Sequence, residues 1–326
     1  MQKKIALVTG GYSGESVISY KSAATIQNNL DTAKWDCYLI DIHPDGWFYM
    51  ATNGEKTQVN KNDFSINVDG AKINFDAVLV GLHGTPGEDG KLQGYFDCLK
   101  IPYTSCNAAT SALTFNKRYS VAVAAFAGIN VAKSVHLFKN DGVTTNNILA
   151  HISLPVFVKP NNGGSSIGMS KVNKVEDLEK ALNKAFKEDE QVLVEEFIQG
   201  REFTIGVFKT KGNITTLPMT EVTTKNDFFD FEAKYEGKSE ETTPANISEE
   251  KAEKIRAVAK KIYQVFNCNG VVRIDFIYNE LKDEPYMLEI NTVPGQSAAS
   301  IVPQQVIAAG SNLREFYSLL LEECLS

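Results

Sequence analysis

"GVVRIDFIYNELKDEPYMLEINTVPG", Gly270 to Gly295, decides the fold. It reads as two strands around a turn near Lys282–Asp283. Alternation puts Arg273 and Asp275 on one face of the first strand, with Val272, Ile274 and Phe276 on the other. In the second strand Glu289 and Asn291 share a face, and pairing about position 282 sets Asp275 opposite Glu289. A solvated outer face is the ordinary reading of such a surface. Two facing acids, however, repel unless a cation lies between them, and Asp and Asn are depleted in strands. Oxygen-only ligands of this kind suit magnesium, which keeps waters and shares its remaining positions with phosphate oxygens. Asp275, Glu289 and Asn291 are therefore predicted to hold magnesium.

A second stretch, "VFVKPNNGGSSIGMSKV" (Val156–Val172), reads as strand, Lys-Pro, loop and strand. A loop of Asn, Gly and Ser leaves backbone N–H groups free for phosphate. The spacing of a P-loop is absent, and no obvious helix follows. Magnesium together with a phosphate-holding loop points to ATP.

The rest of the chain sets the frame. Its 326 residues suggest two or three domains, with soft edges near residues 103 and 195. Hydrophobic residues at 43% and charged residues at 22% are ordinary globular values. A net charge of −7 argues against a dedicated nucleic-acid binder. The five cysteines are scattered without a CxxC pair, which reads as reduced thiols and makes a zinc site improbable. The apolar run of "MQKKIALVTGG" is far too short for a signal peptide, and no segment reaches the ~18 apolar residues of a membrane helix. A soluble cytoplasmic protein is expected, without nucleic-acid or membrane partners.

Along the chain, "KKIALVTGG", "DCYLIDI" and "FDAVLVGLHG" read as strands and "SVISYKSAATIQNNL" as a helix, a parallel α/β unit over roughly the first hundred residues. "TFNKRYSVAVAAFAGI" is predicted as one helix with Thr114 as N-cap. Short paired strands after Val156 and a helix around "VEDLEKALNKAF" suggest an α+β middle domain. In the long helix predicted from Glu249 to Phe266, Ala252, Ile255, Val258, Ile262 and Val265 recur at helical spacing.

Together these elements resemble the ATP-grasp superfamily. "HGTPGEDGKLQG" (His83–Gly94) and "EINTVPGQSAASIVP" (Glu289–Pro303) are similar to signatures of the D-alanine–D-alanine ligases, and "DFFDFEAKY" (Asp227–Tyr235) resembles their mobile loop. The resemblance implies an N-terminal Rossmann-like α/β domain (1–102) followed by a two-part ATP-grasp fold (103–194 and 195–326). It implies ATP-dependent joining of two D-alanines through D-alanyl phosphate, two magnesium or manganese ions, and a homodimer. Lys117, Lys159, Ser166 and Lys234 would contact phosphates. Glu195 and Ile198 would read adenine, and Glu202 would take the ribose. Arg273 and Gly295 would hold the oxyanion, His83 would lie by the first substrate, and Ser300 with Ile301 would receive the second carboxylate. Ser165 and Tyr235 match members of the family's hydrogen-bond network and Glu15 is a further catalytic candidate, whereas Glu88 and Asp89 read as caps of the next helix.

Three positions depart from the pattern. The family stretch aligned with "GGYSGESVIS" usually carries two acids separated by one residue. Glu15 matches the first, and Val17 stands where the second would contact the first D-alanine's amino group. Phe229 replaces a common Tyr, and Asn116 a common Asp. Other readings stay open here. A D-alanine–D-lactate or D-serine ligase would share the fold. A dinucleotide-binding oxidoreductase would use "GGYSG" and Asp41, although that turn lacks the full glycine spacing. A non-catalytic nucleotide-binding protein is the third.

Overall fold

Strand β1 (Lys3–Gly10) is buried along six of its eight residues because apolar side chains cover both of its faces. The computed structural model describes residues 2–164, 166–224 and 239–326. β1 pairs in parallel with β2 (Trp35–His43) and β7 (Ala77–Val80). The antiparallel strands β3 (Gly46–Met50) and β4 (Lys56–Gln58) extend the edge, giving the order β4-β3-β2-β1-β7. Ala6 and Val8 face a core with Phe64 and Phe96, and Ile5 and Leu7 face the opposite one. The small hairpin β5 (Ile66–Val68) and β6 (Ala71–Ile73) lies beside this sheet. Helices α1 (Ser16–Asn29) and α2 (Lys91–Leu99) complete the region.

The chain then forms α3 (Ala108–Phe115) and α4 (Lys117–Phe126) instead of the single helix predicted. Asn116 breaks it: its side chain accepts the N–H of Tyr119 at 3.1 Å and caps α4. Thr114 is no cap, since its hydroxyl donates to the carbonyl of Thr110 at 2.9 Å. Beyond lie β8 (Ser134–Phe138), α5 (Thr145–Leu149), β9 (Val156–Pro160), β10 (Ser170–Val172), α6 (Leu178–Ala185) and β11 (Gln191–Glu196). The four strands form an antiparallel sheet, β10-β9-β11-β8. Val156, Val158, Val192 and Val194 pack on Leu178, Ala181 and Ala185 of α6.

A third sheet holds β12 (Arg201–Thr210), β13 (Asn213–Thr216), β14 (Thr220–Thr224), β15 (Ser239–Thr242), β16 (Val271–Asn279) and β17 (Glu284–Asn291). Helix α7 (Glu249–Val265) covers it with Ala252, Ile255, Ala259 and Ile262, while Val265, predicted to share that stripe, is exposed at the helix end. After α8 (Ile301–Ala308), α9 (Leu313–Cys324) returns to the first sheet and packs Phe316, Tyr317 and Leu320 on Ile5, Leu7 and Leu79. The β17–α8 connection is in turn bonded to α1 through Ser22 and to the loop after β7 through His83 and Glu88. Among the described residues, no helix is long and apolar enough to cross a membrane.

Candidate active site

The β16–β17 hairpin pairs Arg273 with Asn291 and Asp275 with Glu289, as the alternation predicts. A bulge between Asp275 and Phe276 then shifts the register, a feature common beside functional sites. Oδ1 of Asp275 accepts hydrogen bonds from Thr204 Oγ1 (2.5 Å) and Arg273 Nε (2.9 Å). Oδ2 accepts from the Arg273 Nη2 group (2.8 Å) and from Asn291 Nδ2 (3.2 Å). Burial works against the Arg273 charge, but Asp275, Glu289 and Glu88 outweigh it and hold the guanidinium firmly protonated. The compensating cation for Asp275 is thus built into the same strand face. Thr204, on the neighbouring strand β12, was not singled out from sequence because its role depends on strand pairing.

These residues fit a divalent cation. All four acceptor positions of the Asp275 carboxylate are taken, the longest bond being that from Asn291. Turning the Asn291 amide presents its oxygen and releases one position on Asp275. Asp275, Glu289 and Asn291 then offer three oxygens. Among the described residues, no group of three or more His, Cys, Asp and Glu side chains gathers. Two carboxylates and an amide suit magnesium, which draws its other ligands from water and phosphate.

Two cavities meet at this hairpin, one of about 460 Å³ and one of about 370 Å³. The first is bordered by Lys159, Ser166, Glu195, Ile198, Glu202 and Asp275. The second is bordered by Glu15, His83, Arg273, Asn291, Gly295, Ser300 and Ile301. Lys117, Gly163, Gly164 and Glu289 belong to both walls. Every sequence-predicted site residue among the described ones therefore borders one cavity or the other. Ser165, Lys234 and Tyr235, with the rest of the expected mobile loop, lie outside the described residues.

Local geometry explains each placement. The N–H groups of Lys117 and Arg118, at the start of α4, donate to the carbonyl (3.1 Å) and side-chain oxygen (2.9 Å) of buried Asn161. Lys117 Nζ donates to the carbonyl of Gly163 at 2.6 Å. The helix that supports the Gly/Ser loop thus precedes it in sequence. Lys159 pairs with the Glu195 carboxylate across β9 and β11, both largely buried. At Gly164 a Cβ would lie 2.6 Å from Glu15 Oε1, so only glycine lets the loop approach that carboxylate without displacing it. At Gly295 a Cβ would lie 2.7 Å from the Ser300 hydroxyl oxygen.

His83 is 5% exposed, and burial lowers its pKa to about 4. It is a neutral clamp. Nδ1–H donates to the carbonyl of Val293 (2.8 Å), and Nε2 accepts from Ser22 Oγ (2.8 Å), which itself accepts the N–H of Gln296 (3.0 Å).

Two sequence expectations are corrected. Val17 is 58% exposed and borders neither cavity, whereas Glu15, Ile18 and Lys21 do. Helical spacing turns position 17 away from the wall that Glu15, Ile18 and Lys21 form. Glu88 does not cap α2, whose N-cap is Gly90 without a side-chain bond. Instead Oε2 accepts the N–H of Gly84 (2.7 Å) and Oε1 the N–H of Val293 (3.2 Å), which sets the carboxyl at the second cavity. Burial and the nearby Glu15 raise its pKa to about 8. Asp89 does accept the N–H of Lys91 at 3.3 Å.

Two sheets closing on a glycine-rich loop and an oxygen-bearing hairpin define an ATP-grasp fold. Solved structures agree. The D-Ala:D-Ser ligase VanG of Enterococcus faecalis superposes with a TM-score of 0.90 at 30% identity, over 99% of this chain and 100% of that one. A D-alanine–D-alanine ligase of Bacillus anthracis complexed with ATP superposes with a TM-score of 0.80 at 26% identity, over 99% and 97%. The chain belongs to the D-alanine–D-alanine ligase family: residues 4–106 match the D-ala D-ala ligase N-terminus and residues 117–322 the D-ala D-ala ligase C-terminus. A D-alanine–D-alanine ligase of Parabacteroides distasonis is 44% identical over 323 residues, 99% of this chain and 98% of that one.

Proposed function

We propose that the protein joins two D-alanine molecules into D-alanyl-D-alanine while cleaving ATP to ADP and phosphate, through a D-alanyl phosphate. The product serves peptidoglycan precursor synthesis, and the enzyme works in the cytoplasm as a homodimer with the three domains expected from the sequence. The observation that carries this reading is the shared wall. A nucleotide cavity and a substrate cavity meet at Lys117, Gly163, Gly164 and Glu289, where a carboxylate and a γ-phosphate can come together.

ATP takes the first cavity, with its adenine edge along the backbone near Glu195 and Ile198 and its ribose at Glu202. Its phosphates lie under the Gly/Ser loop at Ser166, beside Lys117 and Lys159. The Glu195 partner restrains Lys159, which limits the reorganisation needed at reaction. Magnesium, one or two ions held by Asp275, Glu289 and Asn291, would neutralise charge on the transferring phosphoryl group.

The first D-alanine lies by Glu15, and its carboxylate attacks the γ-phosphorus. The second places its carboxylate at Ser300 and the N–H of Ile301, at the positive end of α8. Its amine attacks the acyl carbon, and Arg273 and the N–H of Gly295 hold the oxyanion until phosphate leaves. By the family resemblance Lys234 and Tyr235, outside the described residues, would help exclude water from the intermediate.

The test is product stoichiometry. Purified protein with ATP, magnesium and D-alanine should yield one ADP and one phosphate per dipeptide. The likeness to a D-Ala:D-Ser ligase makes D-serine the informative competitor, with D-lactate beside it. Preferential D-alanyl-D-serine or depsipeptide would replace the proposed substrate. ATP cleavage without any ligated product would overturn the reaction.

A further inference from the structure

Ligation poses a proton problem that the roles above leave unsolved. An amino acid arrives as an ammonium, which has no lone pair, and must lose a proton before it can attack. We propose that Glu88 accepts that proton. The inference rests on the ligase reading above and adds a catalytic residue to it.

Geometry narrows the choice. His83 is the obvious base by residue type, but Nδ1–H is committed to Val293 and Nε2 already accepts from Ser22. A ring with a pKa lowered to about 4 is also a weak acceptor. Glu289 belongs to the cation site, Glu241 already accepts a hydrogen bond from the Gln304 side chain, and Lys21 on the same wall carries an amine rather than a carboxylate. Glu15 receives the first substrate. Glu88 differs from all of these. Its two oxygens accept one backbone N–H each, from Gly84 and Val293, so the carboxyl is fixed between two walls of the cavity. Each oxygen keeps a further acceptor position for a substrate N–H. Glu88 borders the same cavity as Arg273 and Gly295, and its partner Val293 lies on the connection between Asn291 and Gly295.

The charged surroundings agree with this task. Burial raises the Glu88 pKa and Glu15 from the start of α1 raises it further, while the N–H groups of Gly84 and Val293, and then Arg273 from β16, pull it back, to about 8. A base works best with a pKa near the operating pH. The step balances as follows. The ammonium gives one proton to the ionised Glu88 carboxylate, and the nitrogen lone pair forms the C–N bond to the acyl carbon of D-alanyl phosphate. Collapse of the tetrahedral oxyanion then breaks the C–O bond to phosphate. The second nitrogen proton leaves with phosphate, and Glu88 returns its proton to solvent.

Hydroxylamine separates this role from a structural one. Its nitrogen is neutral at pH 7, so it captures an acyl phosphate as a hydroxamate without a base. Glu88→Gln should lower dipeptide formation about 100-fold while hydroxamate formation with ATP and D-alanine stays at the wild-type rate. The wild-type dipeptide rate should rise with pH through about 8 and level off, whereas the variant, drawing only on free amine, should show no levelling near 8 and keep rising to higher pH. Dipeptide formation at the wild-type rate in the variant would overturn the proposal. So would equal loss of both products, which would mark Glu88 as a strut. Should Glu88→Gln fail to fold, Glu88→Asp keeps a carboxyl and must show the same split; equal losses there also overturn it. Absence of hydroxamate from the wild type would instead defeat the ligase reading.

Discussion

The β9–β10 and β16–β17 hairpins border the same cavity and are built in opposite ways. β9 and β10 pair over three positions and leave a long connection, of which Asn162, Gly163, Gly164, Ser166, Ile167 and Met169 line the wall. β16 and β17 pair over seven positions around a short turn, and their polar side chains line the wall instead. The first is suited to phosphates, whose charge is spread over several oxygens and met by N–H groups and two lysines. The second is suited to charges of fixed position, a divalent cation and an oxyanion, and it locks Arg273 and Asp275 together in advance. Backbone serves where the ligand's charge is diffuse, and paired side chains serve where it is local.

The sharpest way to break this contrast lies in the second hairpin. Glu289→Gln should lower kcat/KM roughly 100-fold or more, partly restored by excess magnesium. Near-normal turnover at ordinary magnesium would remove the cation from the account. Arg273→Met leaves the buried Asp275 carboxylate without its partner, and unfolding in urea should show a loss of about 3–5 kcal/mol. Arg273→Lys should recover part of that stability but little activity, because an ammonium cannot replace the two-pronged contact.

A third expectation concerns the clamp behind the β17–α8 connection. The folded pKa of His83 lies near 4, below the ordinary 6.5, so on acidification the unfolded chain takes the proton first. Its contribution is full above about pH 6.5 and is lost as pH falls toward 4, amounting to about 3 kcal/mol. His83→Gln should flatten the stability profile in that window. A profile unchanged by the substitution would show that the ring is not held neutral by its surroundings.

Smaller effects sharpen the comparison. Gly295→Ala pushes against the short Ser300 side chain and should raise KM for the second D-alanine, whereas Gly164→Ala meets only the mobile end of Glu15 and should matter less. The reverse order would mean that the Gly/Ser loop is the more rigid partner. Val17→Glu, on the outer face of α1, should change stability by less than about 0.5 kcal/mol and leave activity intact.

What the sequence disclosed follows from the range of the interactions involved. Strand alternation alone brought Arg273, Asp275, Glu289 and Asn291 to one face, because the period of two is a local property. The break at Asn116 was hidden because the α4 N-terminus is docked through Arg118 on Asn161, 43 residues away in the chain. Val17 misled because a motif was matched letter by letter, while helical phase decides which side chain turns inward. Glu88 was read as a cap from its place before a helix. Its partner Val293 lies across the molecule, and no local pattern announces that contact.

The central claim is that a D-alanine carboxylate and the γ-phosphate of ATP meet at the wall the two cavities share. Turnover with D-alanine whose carboxylate carries heavy oxygen tests it most directly. One labelled oxygen should appear in the phosphate released for each dipeptide formed. Unlabelled phosphate, or label carried into AMP with release of pyrophosphate, would contradict it.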